Sequence, residues 1–416
     1  MSASAPVASE PAMIRMHILV LLALKVATVT AALALLIIFS VQNAVVGVFW
    51  AFGLAFGIIL QRSRLCFASA FRDLFLLKDG RNMRAILTGL AVASAGFVLL
   101  MAKGVPDPTA GALPNQAHIV PVGPYLLFGG ILFGLGMVIA GGCVSGTLYR
   151  IGEGYMASIV SLIGILVGLE LASHTWNWWW QTQISHDPIL WLPSWFGYAG
   201  ALALTLLLLA GAALLTYVQE RGRGPQIPLR SKPQIEPTTI RDRLNKLYQQ
   251  WLIQGWPIVT GAIALAILNI FTFTVDRPLG VTGELSAWAN RAAGLVNLAA
   301  GPLQGAAQLA GCNLATGSGG TWLTETFAID GGLVFGAFVA AVLASEFKLR
   351  FPRQKIRYAQ SFAGGSFMGY GAGLAAGCTI GAFFSAIPSL GLNGWVFGIG
   401  LLLGAGGGVQ IIRRLA

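Results

Sequence analysis

The sequence predicts an all-α, polytopic membrane protein with about ten spanning helices and additional short re-entrant helices. The 416-residue chain is 56% hydrophobic and only 10% charged, whereas soluble domains carry about 25% charged residues. Apolar runs of roughly 17 to 23 residues recur, which is the length that crosses a bilayer core as a helix. The net charge of +11 comes from basic residues that cluster in a few loops, which is typical of cytoplasmic loops facing anionic lipid. This charge therefore indicates a lipid surface rather than nucleic acid.

The first apolar run follows a polar stretch that carries Arg15. At about 23 residues the run is too long for a signal-peptide core, so it is assigned as the first span. Two half-polar stretches, 63–77 and 286–318, suit re-entrant or interfacial helices packed against protein. The ten predicted spans are 18–40, 44–60, 85–102, 123–142, 155–173, 197–218, 253–275, 331–346, 360–377 and 393–411.

The loops predict the orientation of the chain. Loops 61–84, 220–250 and 347–357 are rich in Lys and Arg, whereas 103–121 contains only Lys103 and 174–196 contains neither. Because basic loops stay on the cytoplasmic side, ten spans place both termini in the cytoplasm.

A proline-containing linker divides the chain into two hydrophobic halves. The predicted organisation is an N-terminal region with an additional helix at 1–43, a first repeat at 44–219, a cytoplasmic linker at 220–250 and a second repeat at 251–416.

The two halves share a glycine and cysteine pattern. A shift of 235 residues places Gly134 on Gly369 and Cys143 on Cys378. The helix that ends at Cys143 starts from an outer loop, whereas the helix that ends at Cys378 starts from a basic inner loop. Equivalent segments therefore run in opposite directions. Such inverted repeats are typical of secondary transporters, whose sites lie near the midplane between the halves.

Glycines flank both cysteines. The pair Gly141-Gly142 directly precedes Cys143, and Gly377 directly precedes Cys378. These glycines suit helices that break inside the membrane, where free backbone N–H groups can receive an anion. A thiol is a weak donor and a soft, polarizable partner, so it suits sulfur or selenium atoms, and as a thiolate it attacks sulfur–sulfur bonds. The alternative is that these cysteines are small hydrophobes filling space in the core.

Other candidates surround these positions. Cys66 lies in QRSRLCFASAFRD, either on a re-entrant segment with arginines that attract an anion or simply at the cytoplasmic edge. Cys312 in LAGCNLATG lies roughly opposite Cys66 under the repeat and is a secondary candidate. Arg150 is another, expected to pair with Glu153 in an inner vestibule. The arginines near Cys66 are Arg62, Arg64 and Arg72.

Several function classes find no support in the sequence. The four cysteines are widely separated and the four histidines do not pair with carboxylates at helical spacing, so neither a disulfide framework nor a metal site is predicted. The chain shows no nucleotide-binding loop and no catalytic triad. We therefore predict neither an enzymatic activity nor a cofactor.

Three motifs carry a resemblance to a known family: LCFASAFRDLFL around Cys66, FGGILFGLGMVIAGGCVSGTLYR around Cys143, and LRFPRQKIRYAQSFAGGSFMGYGAGLAAGCTIGAFFSAIP around Cys378. The chain resembles the YeeE/YedE sulphur-transport family over most of residues 44–411. The resemblance implies a bacterial inner-membrane transporter that takes up thiosulfate. It also implies an hourglass of helices with pseudo-two-fold symmetry, in which substrate passes along Cys66, Cys143 and Cys378 by S–H hydrogen bonds.

Alternatives remain open at the level of the sequence. The chain is also similar to the longer YedE branch, some of whose members are associated with selenium metabolism, so a selenium compound is a second possible substrate. A membrane sulfur-transfer protein is a different class: it would carry a cysteine persulfide and work with a small cytoplasmic sulfurtransferase. A third option is a structural membrane subunit with inert cysteines.

Overall fold

The fold is built from helices. The computed structural model describes residues 10–220, 249, 254–306, 309 and 323–415, with side chains from residue 22 onward; these ranges contain no named strand. The α-helices are α1 Glu10–Gln42, α2 Ala44–Ser63, α3 Phe67–Leu76, α4 Arg81–Gly104, α5 Pro124–Ala140, α6 Val144–Gly152, α7 Met156–Trp179, α8 Pro193–Glu220, α9 Ile258–Val275, α10 Thr282–Gly294, α11 Glu325–Leu343, α12 Ile356–Leu374 and α13 Leu392–Leu415.

Nine helical segments in these ranges are long and apolar enough to cross a membrane. A tenth is obtained if α12 and the short π-helical segment Thr379–Ser385, bent by 48° at their junction, form one broken span. The prediction of an all-α polytopic membrane protein with about ten spans is thereby confirmed.

The segment boundaries agree with the sequence in one stretch and differ from it in two others. The stretch 63–77 contains the ten-residue helix α3, as expected of a short separate helix. The stretch 286–318 does not form one element, because α10 begins at Thr282 and ends at Gly294. The sequence also did not predict that a separate nine-residue helix, α6, directly follows Cys143. Apart from residues 220 and 249, the predicted linker 220–250 lies outside the described residues.

Local chemistry fixes several helix ends. The Asn43 side chain accepts a hydrogen bond from the Val45 N–H at 2.9 Å, and Thr324 caps α11 by accepting from the Phe327 N–H at 3.0 Å. Such caps satisfy backbone donors that have no partner within the helix. At its other end, α5 stops at Gly141, whose φ of +78° is easily adopted by glycine. The chain therefore turns sharply two residues before Cys143.

Glycines bring pairs of helices into backbone contact. A methyl group on Gly53 would lie 2.6 Å from the Ile329 carbonyl oxygen, which shows how closely α2 and α11 approach. On α5, Gly129 faces Gly371 and Gly136 faces Gly364 of α12. Along this contact the residue numbers increase in α5 while they decrease in α12, so these two helices are antiparallel. Small residues at such crossings are the usual means of close packing within a membrane.

The packing partners follow the predicted repeat. In the predicted repeat α5 corresponds to α12 and α13 to α7; α5 packs against α13, and α12 packs against α7. Likewise α2 corresponds to α9 and α11 to α4; α2 packs against α11, and α9 packs against α4. The short helices correspond as well, since α3 lies against α13 and α10 lies against α7. Together with the antiparallel α5–α12 pair, this exchange of partners is the pattern that an inverted repeat produces. The exact limits of the two repeats stay a prediction.

Candidate functional site

All three cysteines in the described residues occupy the N-cap position of a short helical segment. Cys66 precedes α3, Cys143 precedes α6 and Cys378 precedes Thr379–Ser385, each with an extended backbone. All three are buried as free thiols. An N-cap side chain can accept a hydrogen bond from the first turn of its helix, and the Gly146 N–H donates to the Cys143 sulfur at 3.3 Å. The helix ends thus supply fixed positive potential around these sulfurs.

Cys66 and Cys143 form an adjacent pair of thiols. Their side chains interact directly. A methyl group on Gly146 would lie 3.2 Å from the Cys143 sulfur and 3.7 Å from the Cys66 sulfur. The first turn of α6 therefore lies against both thiols, and a side chain larger than that of glycine would crowd the Cys143 sulfur.

Two threonines extend this row of groups toward Cys378. The Thr379 hydroxyl lies beside Cys143, and the Thr282 hydroxyl lies beside Cys378. Both threonines are buried, and within the part of the chain that the structure describes neither hydroxyl makes an aligned hydrogen bond. Burying a polar group without a partner costs free energy, so these hydroxyls are available to another group. We call Cys66, Cys143, Thr379, Cys378 and Thr282, in this spatial order, the cysteine line.

A cavity of about 770 Å³ lies at the Cys66 end of the cysteine line. Five basic and two acidic side chains line it, so the local potential favours an anion. We call it the basic cavity. Its charged lining residues are Arg64, Arg72, Arg150, Lys348, Arg350, Glu153 and Glu346.

Arg150 has a different partner from the expected one. The sequence suggested a pair with Glu153, but the guanidinium donates instead to the carbonyl oxygen of Gly141, across the break between α5 and α6. Glu153 accepts a hydrogen bond from the Gln61 side chain at 3.2 Å. Burial raises the pKa of the Glu153 carboxyl, opposed by this hydrogen bond and by nearby arginines. Arg150 thus joins the turn before Cys143 to the basic cavity.

The arginines near Cys66 do not act as one group. Arg62 is buried and pairs with Glu346 at 3.3 Å, so it does not line the basic cavity. Arg64 and Arg72 do line it, although Arg72 also pairs with Asp73 at 2.8 Å. The expectation of three arginines facing an anion was therefore wrong for Arg62.

The predicted helix breaks exist. Positive φ angles occur at Gly141, one of the two glycines expected to break the first helix, and at Ala376, one residue before Gly377. Gly142 is constrained by Arg150, because a methyl group there would lie 3.1 Å from the guanidinium nitrogen Nη1. The space at Gly377 is similarly limited, since a methyl group added there would lie 2.8 Å from the backbone nitrogen of Ala382. Both glycines thus serve close packing beside the cysteines.

Cys312 lies outside the described residues. The suggested correspondence of Cys66 with Cys312 therefore stays a prediction. Among the described residues, Val281 is the N-cap residue of α10, as Cys66 is of α3. Within the described ranges, no group of three or more His, Cys, Asp or Glu side chains is arranged to hold a metal.

Comparison with known proteins places this arrangement in a family. The family model for sulphur transport matches residues 62–406, which include all three N-cap cysteines and the basic cavity. The chain belongs to the sulphur transport family. Its role is accordingly transport across a membrane rather than enzymatic catalysis.

Individual relatives of the sulphur transport family extend the comparison. The chain is 33% identical to the thiosulfate transporter TsuA of Spirochaeta thermophila over 369 residues, which is 85% of this chain and 94% of that protein. It is 26% identical to the thiosulfate transporter TsuA of Escherichia coli, over 85% and 90% of the two chains. The probable transporter YedE of Escherichia coli is 32% identical over a shorter region, 39% of this chain and 38% of that protein.

The contact of α6 with two thiols yields a first prediction. Gly146→Ala is expected to lower substrate uptake severalfold, because the added methyl group must displace one or both sulfurs. Uptake by purified protein in liposomes measures the effect. Gly211→Ala is the matched control, since nothing lies within 4 Å of the added methyl group at that position on α8. Equal uptake by both variants would contradict the predicted crowding.

Proposed function

We propose that this protein takes up thiosulfate, or a related soft sulfur anion, through a pathway that contains the cysteine line. The observation that carries the proposal is the continuity between the basic cavity and the row of buried thiols and hydroxyls. The similarity of the chain to two thiosulfate transporters over most of its length supports the choice of substrate. The positively charged cavity favours an anion, and the thiols favour a soft sulfur atom.

The chemistry of the line suits stepwise passage. Each thiol is a weak donor and a polarizable acceptor, so a sulfur anion can exchange one thiol contact for the next without being held tightly at any step. The Thr379 and Thr282 hydroxyls supply stronger donors between and beyond the thiols. A site that conducts must bind its substrate well enough to admit it and weakly enough to release it. Alternating weak and moderate donors meet both conditions.

The proposed location is the bacterial inner membrane, with both termini in the cytoplasm. Two loops rich in Lys and Arg, 61–84 and 347–357, contribute residues to the basic cavity, among them Arg64 and Lys348. Because such loops remain cytoplasmic, the basic cavity is assigned to the inner side. Substrate entering from outside would thus meet Thr282 and Cys378 first and leave through the basic cavity.

The decisive experiment is uptake of sulfur-labelled thiosulfate by the wild-type protein in liposomes. We expect label to accumulate inside, with competition by thiosulfate but much less by sulfate, which lacks a soft sulfur. Competition by selenium analogues would decide between the two candidate substrate classes. Protein that retains label as a cysteine persulfide, without flux, would instead favour sulfur transfer to a small cytoplasmic sulfurtransferase.

The two threonines allow a test that separates transport from stability. Thr379→Val and Thr282→Val are each expected to lower uptake severalfold, because valine keeps the shape but removes the donor. Neither should destabilise the fold, because the lost hydroxyls have no aligned hydrogen-bond partner. Thermal unfolding and liposome uptake measure the two effects.

Thr205→Val provides the matched control for these variants. Thr205 on α8 is also fully buried, and its hydroxyl also has no hydrogen-bond partner, but it is not part of the cysteine line. Its valine variant should transport like wild type. If all three valine variants transport equally well, the threonines have no role in passage.

A further inference from the structure

Asp330 is a buried carboxyl group in a predicted membrane span. It lies in α11 and is 1% exposed, and neither of its side-chain oxygens has a hydrogen-bond partner among the described residues. An ionised carboxylate in such surroundings is very unfavourable, since nothing replaces its water. The side chain is therefore held as the neutral acid, which means that it carries a proton.

The neighbouring acid, Glu284 of α10, is in a different environment. Its oxygen Oε2 accepts hydrogen bonds from Thr324 and Thr326 at 2.7 and 2.8 Å, and the Arg291 guanidinium lies 3.7 Å from Oε1. These contacts give Glu284 two hydroxyl donors and a nearby guanidinium, whereas the described residues supply Asp330 with no donor. Because Glu284 also interacts electrostatically with Asp330, ionisation of Asp330 would place its charge beside a second acidic group. Asp330 is therefore the member of this pair whose charge the described residues do not offset.

The acid pair is connected to the cysteine line through α10. Glu284 follows Thr282 by two residues, and Thr282 lies beside Cys378. A change in charge at Asp330 would therefore act close to the end of the line that an incoming anion meets first. A metal ion is a poor alternative occupant, because the Arg291 guanidinium already compensates Glu284 and would repel a cation.

We propose that Asp330 is a proton-binding site that controls anion passage along the cysteine line. In the neutral form, passage beside Thr282 is permitted; release of the proton from the carboxyl oxygen leaves a carboxylate, which repels the anion. This inference rests on the proposed function for its transport consequence, but the protonation of Asp330 itself does not depend on the substrate. Among the described residues, the ionisable side chains on the elements that pack against α11 and α10 are Lys25, Arg62, Tyr149, Arg150, Glu170, His174, Arg357, Tyr358 and Tyr370. Those on or beside α10 and α11 themselves are Arg277, Glu284, Arg291, Glu325 and Glu346.

Infrared spectroscopy of the purified protein in lipid tests the proton directly. We expect the carbonyl band of a protonated carboxylic acid at neutral pH in wild type and its loss in Asp330→Asn. Glu325→Gln is the matched control, because Glu325 lies on the same helix but faces Arg277 at 3.8 Å and is more exposed. Its variant should keep the band. Persistence of the full band in Asp330→Asn would overturn the assignment.

Uptake as a function of pH tests the control of passage. Wild type should lose uptake on the alkaline side in parallel with its infrared band, because the ionised carboxyl repels the anion. Asp330→Asn, which stays neutral, should retain uptake at neutral pH and lose the alkaline decline, whereas Glu325→Gln should follow wild type. An alkaline decline that is unchanged in Asp330→Asn overturns control by Asp330.

These two measurements separate the proposals. A wild-type protein that takes up no thiosulfate would contradict the proposed function, while its infrared band would still decide whether Asp330 holds a proton. If Asp330→Asn does not fold, wild type alone decides the inference, by whether its infrared band and its uptake decline over the same alkaline pH range. A band that persists in wild type through the alkaline decline would overturn it.

Discussion

Cys143→Ala is expected to reduce thiosulfate uptake in liposomes to the level of protein-free vesicles. Cys143 lies in the middle of the cysteine line, in contact with both Cys66 and Thr379. Alanine removes the sulfur and leaves the two neighbours without a shared partner. The loss of one small buried side-chain atom costs only about 1 kcal/mol of folding stability, so the variant should still insert and purify. A loss of transport without a loss of folding is the expected result.

Serine at the same position tests the role of sulfur. Cys143→Ser keeps a donor and acceptor of similar shape, and its oxygen can still accept the Gly146 N–H that now binds the sulfur at 3.3 Å. We expect uptake between that of wild type and that of the alanine variant, because a hydroxyl holds the substrate but is less polarizable.

The other cysteines complete this series. Cys66→Ala and Cys378→Ala should behave like Cys143→Ala, since each removes one position of the line. Cys312→Ala decides by the same assay whether that cysteine takes part. If Cys66, Cys143 and Cys378 can all be replaced by alanine with normal uptake, the thiols do not conduct the substrate.

Arg150→Gln is expected to reduce uptake by about tenfold or more. The Arg150 guanidinium donates to the Gly141 carbonyl at the turn before Cys143 and adds positive charge to the basic cavity. A charge-assisted hydrogen bond contributes about 1.5 to 3 kcal/mol, and about 1.4 kcal/mol corresponds to a tenfold change. The variant loses both the bond that positions Cys143 and the charge that attracts the anion.

Arg64→Gln is the matched control for Arg150→Gln. Arg64 also lines the basic cavity, but its side chain is 75% exposed and pairs with Glu346 at 3.1 Å. Exposed charges are screened and contribute little, so uptake should change by less than about twofold. Added salt should weaken any effect of Arg64 but not that of Arg150. Equal losses in both variants would mean that only net charge matters.

The class of the protein could be predicted from composition and patterning alone. The apolar runs, the low share of charged residues and the concentration of Lys and Arg in certain loops are local properties. They reflect how each segment partitions between lipid and water, and the structure agrees with about ten spans. The repeated glycines around Cys143 and Cys378 predicted helix breaks, and both cysteines do begin a new helical segment. These features are visible in sequence because each depends on neighbouring residues.

Other assignments needed the packed chain. The sequence placed Arg150 with Glu153, its near neighbour, whereas the backbone turn at Gly141 presents a closer carbonyl. Arg62 was expected beside Cys66 but is drawn to Glu346, a residue from the second half. A charged side chain inside a membrane protein takes the partner that packing supplies, and sequence spacing does not indicate which one that is.

The sequence by itself determined that the chain forms apolar helices, that these repeat, and that Cys143 and Cys378 each follow a glycine-rich break. Only the tertiary structure decided that Thr379 lies beside Cys143, that Thr282 lies beside Cys378, and that Asp330 is buried without a hydrogen-bond partner. Hydropathy and helix breaking arise from each residue and its immediate neighbours. Contacts between residues that are distant in the sequence, such as Thr379 with Cys143 and Thr282 with Cys378, arise from helix packing, so they become visible only in the folded molecule.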